Sequence, residues 1–160
     1  MELGIEGRRA IVCASSRGLG RACAVSLARE GVAVVINGRD DKTLSAAAEE
    51  IRSETGGDIT AVVGDLDQSS DRERLVAACP EADILVNNNG GPPPGRFEDW
   101  DQAAWLAALE SNLLAPTMMI RALLPGMKER RFGRIVNITS AMVKTPLAPM
   151  ALSTTARSGL

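Results

Sequence analysis

Ser15-Ser16-Arg17-Gly18-Leu19-Gly20 follows directly on the apolar run Arg9-Ala-Ile-Val-Cys-Ala14 and has the composition of a loop that approaches an anion. A glycine-rich turn between a buried strand and a helix lets backbone N–H groups reach a pyrophosphate at the positive end of the helix dipole, and Gly18 and Gly20 suit that task. Two glycines after a strand also make an ordinary tight turn, so the end of the second strand has to decide. About 20 residues beyond such a loop, a site for NAD(H) presents an acid to the ribose. Here the strand ends Asn37-Gly38-Arg39, with no carboxylate to repel a 2′-phosphate. Arg39 and Arg17 can form a guanidinium clamp on that phosphate, because planar forks bind such oxygens in pairs. NADP(H) is favoured over NAD(H); the bland alternative for both arginines is solvated surface charge.

Two absences constrain any catalytic reading, since the chain has no His and no Tyr, the side chains most used to pass protons near neutral pH. With 160 residues, 45% hydrophobic and 24% charged, it has enough apolar material for one packed, soluble domain. A net charge of −2, with Lys and Arg scattered along the chain, offers no basic face to nucleic acid or anionic lipid. No apolar run reaches the length of a membrane span, and Met1-Glu2-Leu3-Gly4 lacks the features of a signal peptide, so a cytoplasmic location is expected. Cys13, Cys23 and Cys79 lie in apolar stretches without CxxC or His partners and are expected as buried reduced thiols, with no metal site.

Alternating elements must position these groups. Residues 9–14 read as a buried strand, followed by a helix whose Leu19, Ala22, Cys23, Ser26 and Leu27 share a face, a stop at Gly31 and a strand at Val32–Ile36. A second helix carries Leu44, Ala47, Ala48 and Ile51 on one stripe, ends at Gly56-Gly57 and leads to a strand at Ile59–Val63. A short helix at Arg72–Cys79, a strand at Asp83–Val86 and a long helix from Asp101 to Met127 follow. The long helix carries Trp105, Ala108, Leu109, Asn112 and Leu113 on one face, with Pro116 expected to kink it or begin a second segment. Gly133–Thr139 is a fifth strand and Ala151–Leu160 opens another helix. Alternation of this kind predicts an α/β, doubly wound parallel sheet of the Rossmann-like type, with ligands outside the carboxyl ends of the strands. Gly90-Gly-Pro-Pro-Pro-Gly95 reads equally as a stiff loop or a pocket wall. The chain stops within its last helical pattern, so residues 1–160 are read as a single nucleotide-binding domain lacking its C-terminal strands and substrate-loop region.

Over essentially its whole length the chain resembles the short-chain dehydrogenase/reductase family, most closely its 3-oxoacyl-carrier-protein-reductase-like members. Ala14–Gly20 looks like the TGxxxGxG turn, with Ala14 in place of the first glycine. The resemblance extends nucleotide binding over Ser15, Ser16, Arg17, Gly18, Leu19, Gly20, Asn37 and Arg39. Gly64-Asp65-Leu66 is similar to the segment whose Asp contacts the adenine, and Asn87-Asn88-Asn89-Gly90 to the NNAG motif, with Asn89 replacing Ala. Ser111-Asn112-Leu113 resembles the segment of the helix-borne catalytic Asn, and Asn137-Ile-Thr-Ser140 the strand end that carries the catalytic Ser.

Thirteen residues after that Ser the family has Tyr, and four further on Lys; here these are Ser153 and Arg157. Spacing by four keeps both side chains on one helix face. In the family the Tyr hydroxyl passes the substrate proton, while the Lys lowers its pKa and holds the nicotinamide ribose. Arg157 can hydrogen-bond ribose hydroxyls but cannot trade protons, and an alkyl hydroxyl is far less acidic than a phenol of pKa about 10. The resemblance implies hydride transfer between NADPH and a small carbonyl or alcohol substrate, a 3-oxoacyl compound among them. It assigns catalytic roles to Asn112, Ser140, Ser153 and Arg157 and implies a homodimer or homotetramer. The substitutions suit an alternative, a catalytically inert NADP(H)-binding sensor or regulatory subunit.

Overall fold

Successive residues of the first strand point to opposite faces of one sheet, and each face is buried under a different pair of helices. The computed structural model describes residues 3–160; Met1 and Glu2, part of the stretch read for a leader, lie outside them. Five strands, β1 (Arg9–Val12), β2 (Ala33–Gly38), β3 (Ile59–Val63), β4 (Ile84–Asn87) and β5 (Arg134–Asn137), pair in parallel in the order β3-β2-β1-β4-β5. Helices α1 (Gly18–Arg29), α2 (Asp41–Thr55), α3 (Ser69–Ala78), α4 (Gln102–Leu109), α5 (Ala115–Glu129) and α6 (Ala151–Ser158) connect and flank them.

Ala10 and Val12, with Val34 and Ile36, pack against Ala24 and Ala28 of α1 and Leu44, Ala47, Ala48 and Ile51 of α2. Ile11 and Cys13, with Val35 and Leu85, pack against Leu75 of α3 and Met119, Leu123 and Met127 of α5. Burial of a Leu or Ile contributes about 1.5–3 kcal/mol, so these two layers dominate the stability. Strand order reverses between β1 and β4, and the loops leaving these strands open a crevice at their carboxyl ends.

The α2 stripe and its stop at Gly56 (φ 68°) match the sequence reading. The α1 face does so only in part, with Cys23 and Leu27 partly buried against the core. Gly20, Ala24, Val25 and Ala28 are buried, whereas Ala22 and Ser26 are exposed and Leu19 is 67% exposed. A Cβ on Gly20 would lie 2.4 Å from the Ala14 carbonyl oxygen, so this backbone approach fixes the rotation of the helix and turns Leu19 outward. The expected long helix is divided into α4, a π-helical turn at Glu110–Leu114, and α5. The π-helical turn precedes Pro116 at the start of α5, where the proline lacks the N–H that would continue the helical ladder. The final helix spans Ala151–Ser158, and Gly159 after it keeps right-handed dihedrals (φ −83°, ψ −14°).

Cys13 and Cys79 are buried, and Cys23 is partly buried, packed against the core from α1. Basic residues scattered in sequence gather at the amino ends of the strands: Arg8 and Arg134 cover Phe132 at 3.9 and 4.6 Å, and Arg130 lies beside Asp83. Asp83 and Glu81 offset much of that charge. Among the described residues no helix is long and apolar enough to cross a membrane.

Candidate functional site

The loop after β1 turns on Ala14, whose φ of 44° is left-handed, and then on Gly18 (φ 59°). L-residues pay roughly 1–2 kcal/mol for the left-handed region, so Ala14 has to be held there. Its carbonyl accepts from Asn88 Nδ2 at 3.1 Å, and its amide lies 3.4 Å from Asn37 Oδ1. Ser15 is fully buried; its hydroxyl donates to the Val12 carbonyl (2.6 Å) and accepts from the Asn37 amide (3.0 Å). Ser15 therefore joins the ends of β1 and β2, and its hydroxyl is committed to that junction. The N-cap of α1, Arg17, makes no capping hydrogen bond through its side chain, and the first turn carries no acidic residue. Its opening N–H groups remain donors for an anion.

Arg17 and Arg39 come from different loops and line one open cleft of about 340 Å³, with Ser16, Asp65, Asn88, Asn89 and Gly90. Neither arginine has an ion-pair partner among the described residues, so both guanidinium groups are available to a phosphate. The expected absence of a carboxylate needs correction, because Asp40 lines the same cleft. Asp40 caps α2, accepting from the amide of Thr43 at 2.8 Å and from its hydroxyl. Those two bonds, the hydroxyl first, hold its carboxyl below the ordinary value of 3.8. The cap commits Asp40 Oδ1 to the helix.

Asp65 borders the cleft half-buried, with its Oδ1 accepting from the Asp67 amide at 3.1 Å. Leu66 is 6% exposed and belongs to the core, so its contribution is the shape of the wall. Leu19, at the mouth of the turn, is exposed.

A second, much smaller cavity of about 10 Å³, room for about one water molecule, adjoins this cleft and is lined by Cys13, Asn87, Asn89, Asn112 and Arg157 among others. Asn112 sits in the π-helical turn, buried, with Oδ1 unpartnered and Nδ2 3.4 Å from the Ala108 carbonyl. Arg157 is 9% exposed and donates from Nη1 to the Ile138 carbonyl (2.7 Å) and from Nη2 to the Asn89 carbonyl (3.1 Å). No carboxylate faces it among the described residues, and burial pushes its pKa below the usual value. The Asn89 side chain donates to the Ser111 carbonyl (3.0 Å) and accepts from the Gly90 amide (2.8 Å), so the residue standing in the family's Ala position braces its own loop. Cys13 faces the same cavity, its thiol pushed up to about 12 by burial, against a smaller lowering by the Asn88 backbone.

Ser140 Oγ accepts from the Met142 amide at 3.2 Å and caps the 3₁₀ turn at Ala141–Val143. Ser153 is 4% exposed on α6, which packs against both that turn and the π-helical turn. The fold thus gathers the elements bearing Asn112, Ser140, Ser153 and Arg157, while only Asn112 and Arg157 line the inner cavity together. The sequence reading missed two contributors, Asp40 and the clamp on Ala14. The DxxT cap of α2 was the one signal available for the first.

The family model described as short chain dehydrogenase matches residues 8–160. The chain belongs to the short-chain dehydrogenase family. It is 34% identical over 152 residues to the uncharacterized oxidoreductase YvaG of Bacillus subtilis, covering 94% of this chain and 58% of that protein. It is 32% identical over 160 residues to the ketoacyl reductase HetN of Nostoc, covering 98% of this chain and 55% of that one. L-sorbose reductase of Gluconobacter frateurii, solved with NADPH and L-sorbose, superposes with a TM-score of 0.95 at 28% identity, covering all of this chain and 62% of the other. The chain therefore spans a little over half the length of these family members.

Proposed function

We propose that this chain forms the nucleotide-binding part of an NADP(H)-dependent oxidoreductase that interconverts a small carbonyl compound and its alcohol. The observation that carries the reading is the convergence of Arg17 and Arg39 on one cleft, beside the uncapped N-terminus of α1. NADPH in complex with the sorbose reductase, whose fold this chain shares, supports the choice of cofactor.

In this reading the N–H groups from Gly18 onward hold the pyrophosphate. Arg17 and Arg39 hold the 2′-phosphate, Asp65 borders the adenine, and Asn88 to Gly90 form the floor under the nicotinamide half. Bound NADPH supplies the hydride. Asn112 and Ser140 orient the carbonyl, whose oxygen takes up one proton as the alcohol forms. Ser153 is a weak donor for that proton, and Arg157, with both terminal nitrogens on backbone carbonyls, acts as a fixed positive charge. Loss of a positioned acid typically costs about 10²- to 10⁴-fold in rate, so slow turnover is expected. HetN and the sorbose reductase point to a 3-oxoacyl compound or a ketose as substrate. A homodimer or homotetramer in the cytoplasm completes the proposal.

The buried Ser153 and the committed Arg157 also favour a second reading, an NADP(H)-binding sensor without turnover. Saturating NADPH with a panel of ketones, ketoses and acyl thioesters separates the two. Turnover that Ser140→Ala abolishes supports the reductase; nucleotide binding with no turnover supports the sensor.

A further inference from the structure

The Asn37 side chain ends in the middle of a three-strand junction. It is 2% exposed, and its Nδ2 donates to the Val62 and Gly64 carbonyls, both at 3.1 Å. Its Oδ1 lies 3.4 Å from the Ala14 amide, while its backbone carbonyl accepts from the Ser15 amide at 2.7 Å. Both amide protons and the carbonyl oxygen are thereby directed at backbone, which leaves little of this side chain for a ribose hydroxyl. On the other side of the same turn, Asn88 Nδ2 holds the Ala14 carbonyl. Between them lies Ala14 at φ 44°, and behind it the missing side chain of Gly20 leaves room for the Ala14 oxygen.

We infer that Asn37 and Asn88 are positioning residues that clamp Ala14 in its left-handed conformation, and that this clamp sets the backbone donors of the nucleotide turn. The clamp does for this chain what a glycine at position 14 would do through its own backbone freedom. It also gives the asparagine at the end of β2 a role other than contact with the nucleotide. The effect on binding rests on the nucleotide reading of the cleft; the clamp itself does not.

The test is a double-mutant cycle of Asn37→Ala and Ala14→Gly, read by NADPH titration and by urea denaturation of the same four proteins. The strain on a left-handed alanine corresponds to a population ratio of roughly tenfold or more. Asn37→Ala is therefore expected to weaken NADPH about tenfold with Ala14 in place and less than about threefold in the Ala14→Gly background. Its stability loss should shrink in the Ala14→Gly background too. Equal losses in both backgrounds, in affinity and in stability, overturn the inference and return Asn37 to direct contact or plain core structure. A stability coupling in a protein that does not bind NADPH upholds the clamp and refutes the nucleotide reading alone. If Asn37→Ala does not fold, the Asn88→Ala and Ala14→Gly cycle tests the other arm with the same expected pattern.

Discussion

Replacing Gly20 with alanine tests the link between the packing of α1 and ligand binding. The added Cβ would stand 2.4 Å from the Ala14 carbonyl oxygen and 2.9 Å from Ser15 Cα. An ordinary carbon–oxygen approach is about 3.3 Å, so close to an ångström of overlap has to be relieved. Both obstructing atoms are backbone, and no side-chain rotation helps. Overpacking of this kind costs about 1–3 kcal/mol, while the gain in helix propensity offsets up to about 1 kcal/mol. A net loss near 1 kcal/mol lowers Tm by about 2–4 °C for a chain of this size. Affinity should suffer more, since shifting one N–H away from a phosphate forfeits a charge-assisted bond of about 1.5–3 kcal/mol, tenfold or more in Kd. Gly126→Ala on α5 is the control, because its Cβ would meet only the movable end of Arg130; Tm should rise and NADPH binding should stay the same. Circular dichroism melts and fluorescence titration read both quantities. A Gly20→Ala protein with unchanged Tm and unchanged NADPH affinity would refute the reasoning.

Arg39→Glu should weaken NADPH by about 10- to 100-fold, the value of a charged hydrogen bond or two, while leaving NADH nearly unaffected; equal effects on both remove its assignment to the 2′-phosphate. Alkylation of the native protein at pH 8 should modify Cys23 first and spare Cys13 and Cys79 until denaturant is added, which peptide mass mapping reads directly. Because the Cys13 thiol is raised in the folded state, its contribution to stability is complete below the unfolded value of 9.0 and declines as pH rises from there toward about 12, an effect Cys13→Ala should abolish in urea melts. The sign is opposite for Asp40, lowered in the folded state: its cap contributes above 3.8 and is lost as pH falls below that value, so Asp40→Asn should flatten the acid limb of the stability profile.

Much of the fold was legible because single faces obey simple periods. Leu44, Ala47, Ala48 and Ile51 repeat at helical spacing and all four are buried, and Ala10 to Cys13 alternate between the two core layers as a doubly covered strand should. Reading failed where a tertiary contact set the local geometry. The rotation of α1 depends on the approach of Gly20 to Ala14, which no hydrophobic pattern encodes. The π-helical turn beneath Asn112 is one residue too wide for the period of the helices on either side, and its sequence is ordinary for a helix. Residue types at the site were readable, but their partners were not. Asn37 reads as a nucleotide-binding residue from its position while its side chain is bonded to backbone, and the Asn89 carbonyl that receives Arg157 lies 68 residues away from it in sequence.

Titration of the protein with NADPH and NADH, followed by calorimetry, tests the central claim most directly. Saturable one-site binding is expected, with NADPH tighter than NADH by roughly tenfold or more, the value of a charged hydrogen bond to the 2′-phosphate, and with that difference lost in the Arg17→Ala/Arg39→Ala double variant. Equal affinity for both nucleotides, or no binding of either by the folded protein, would contradict it.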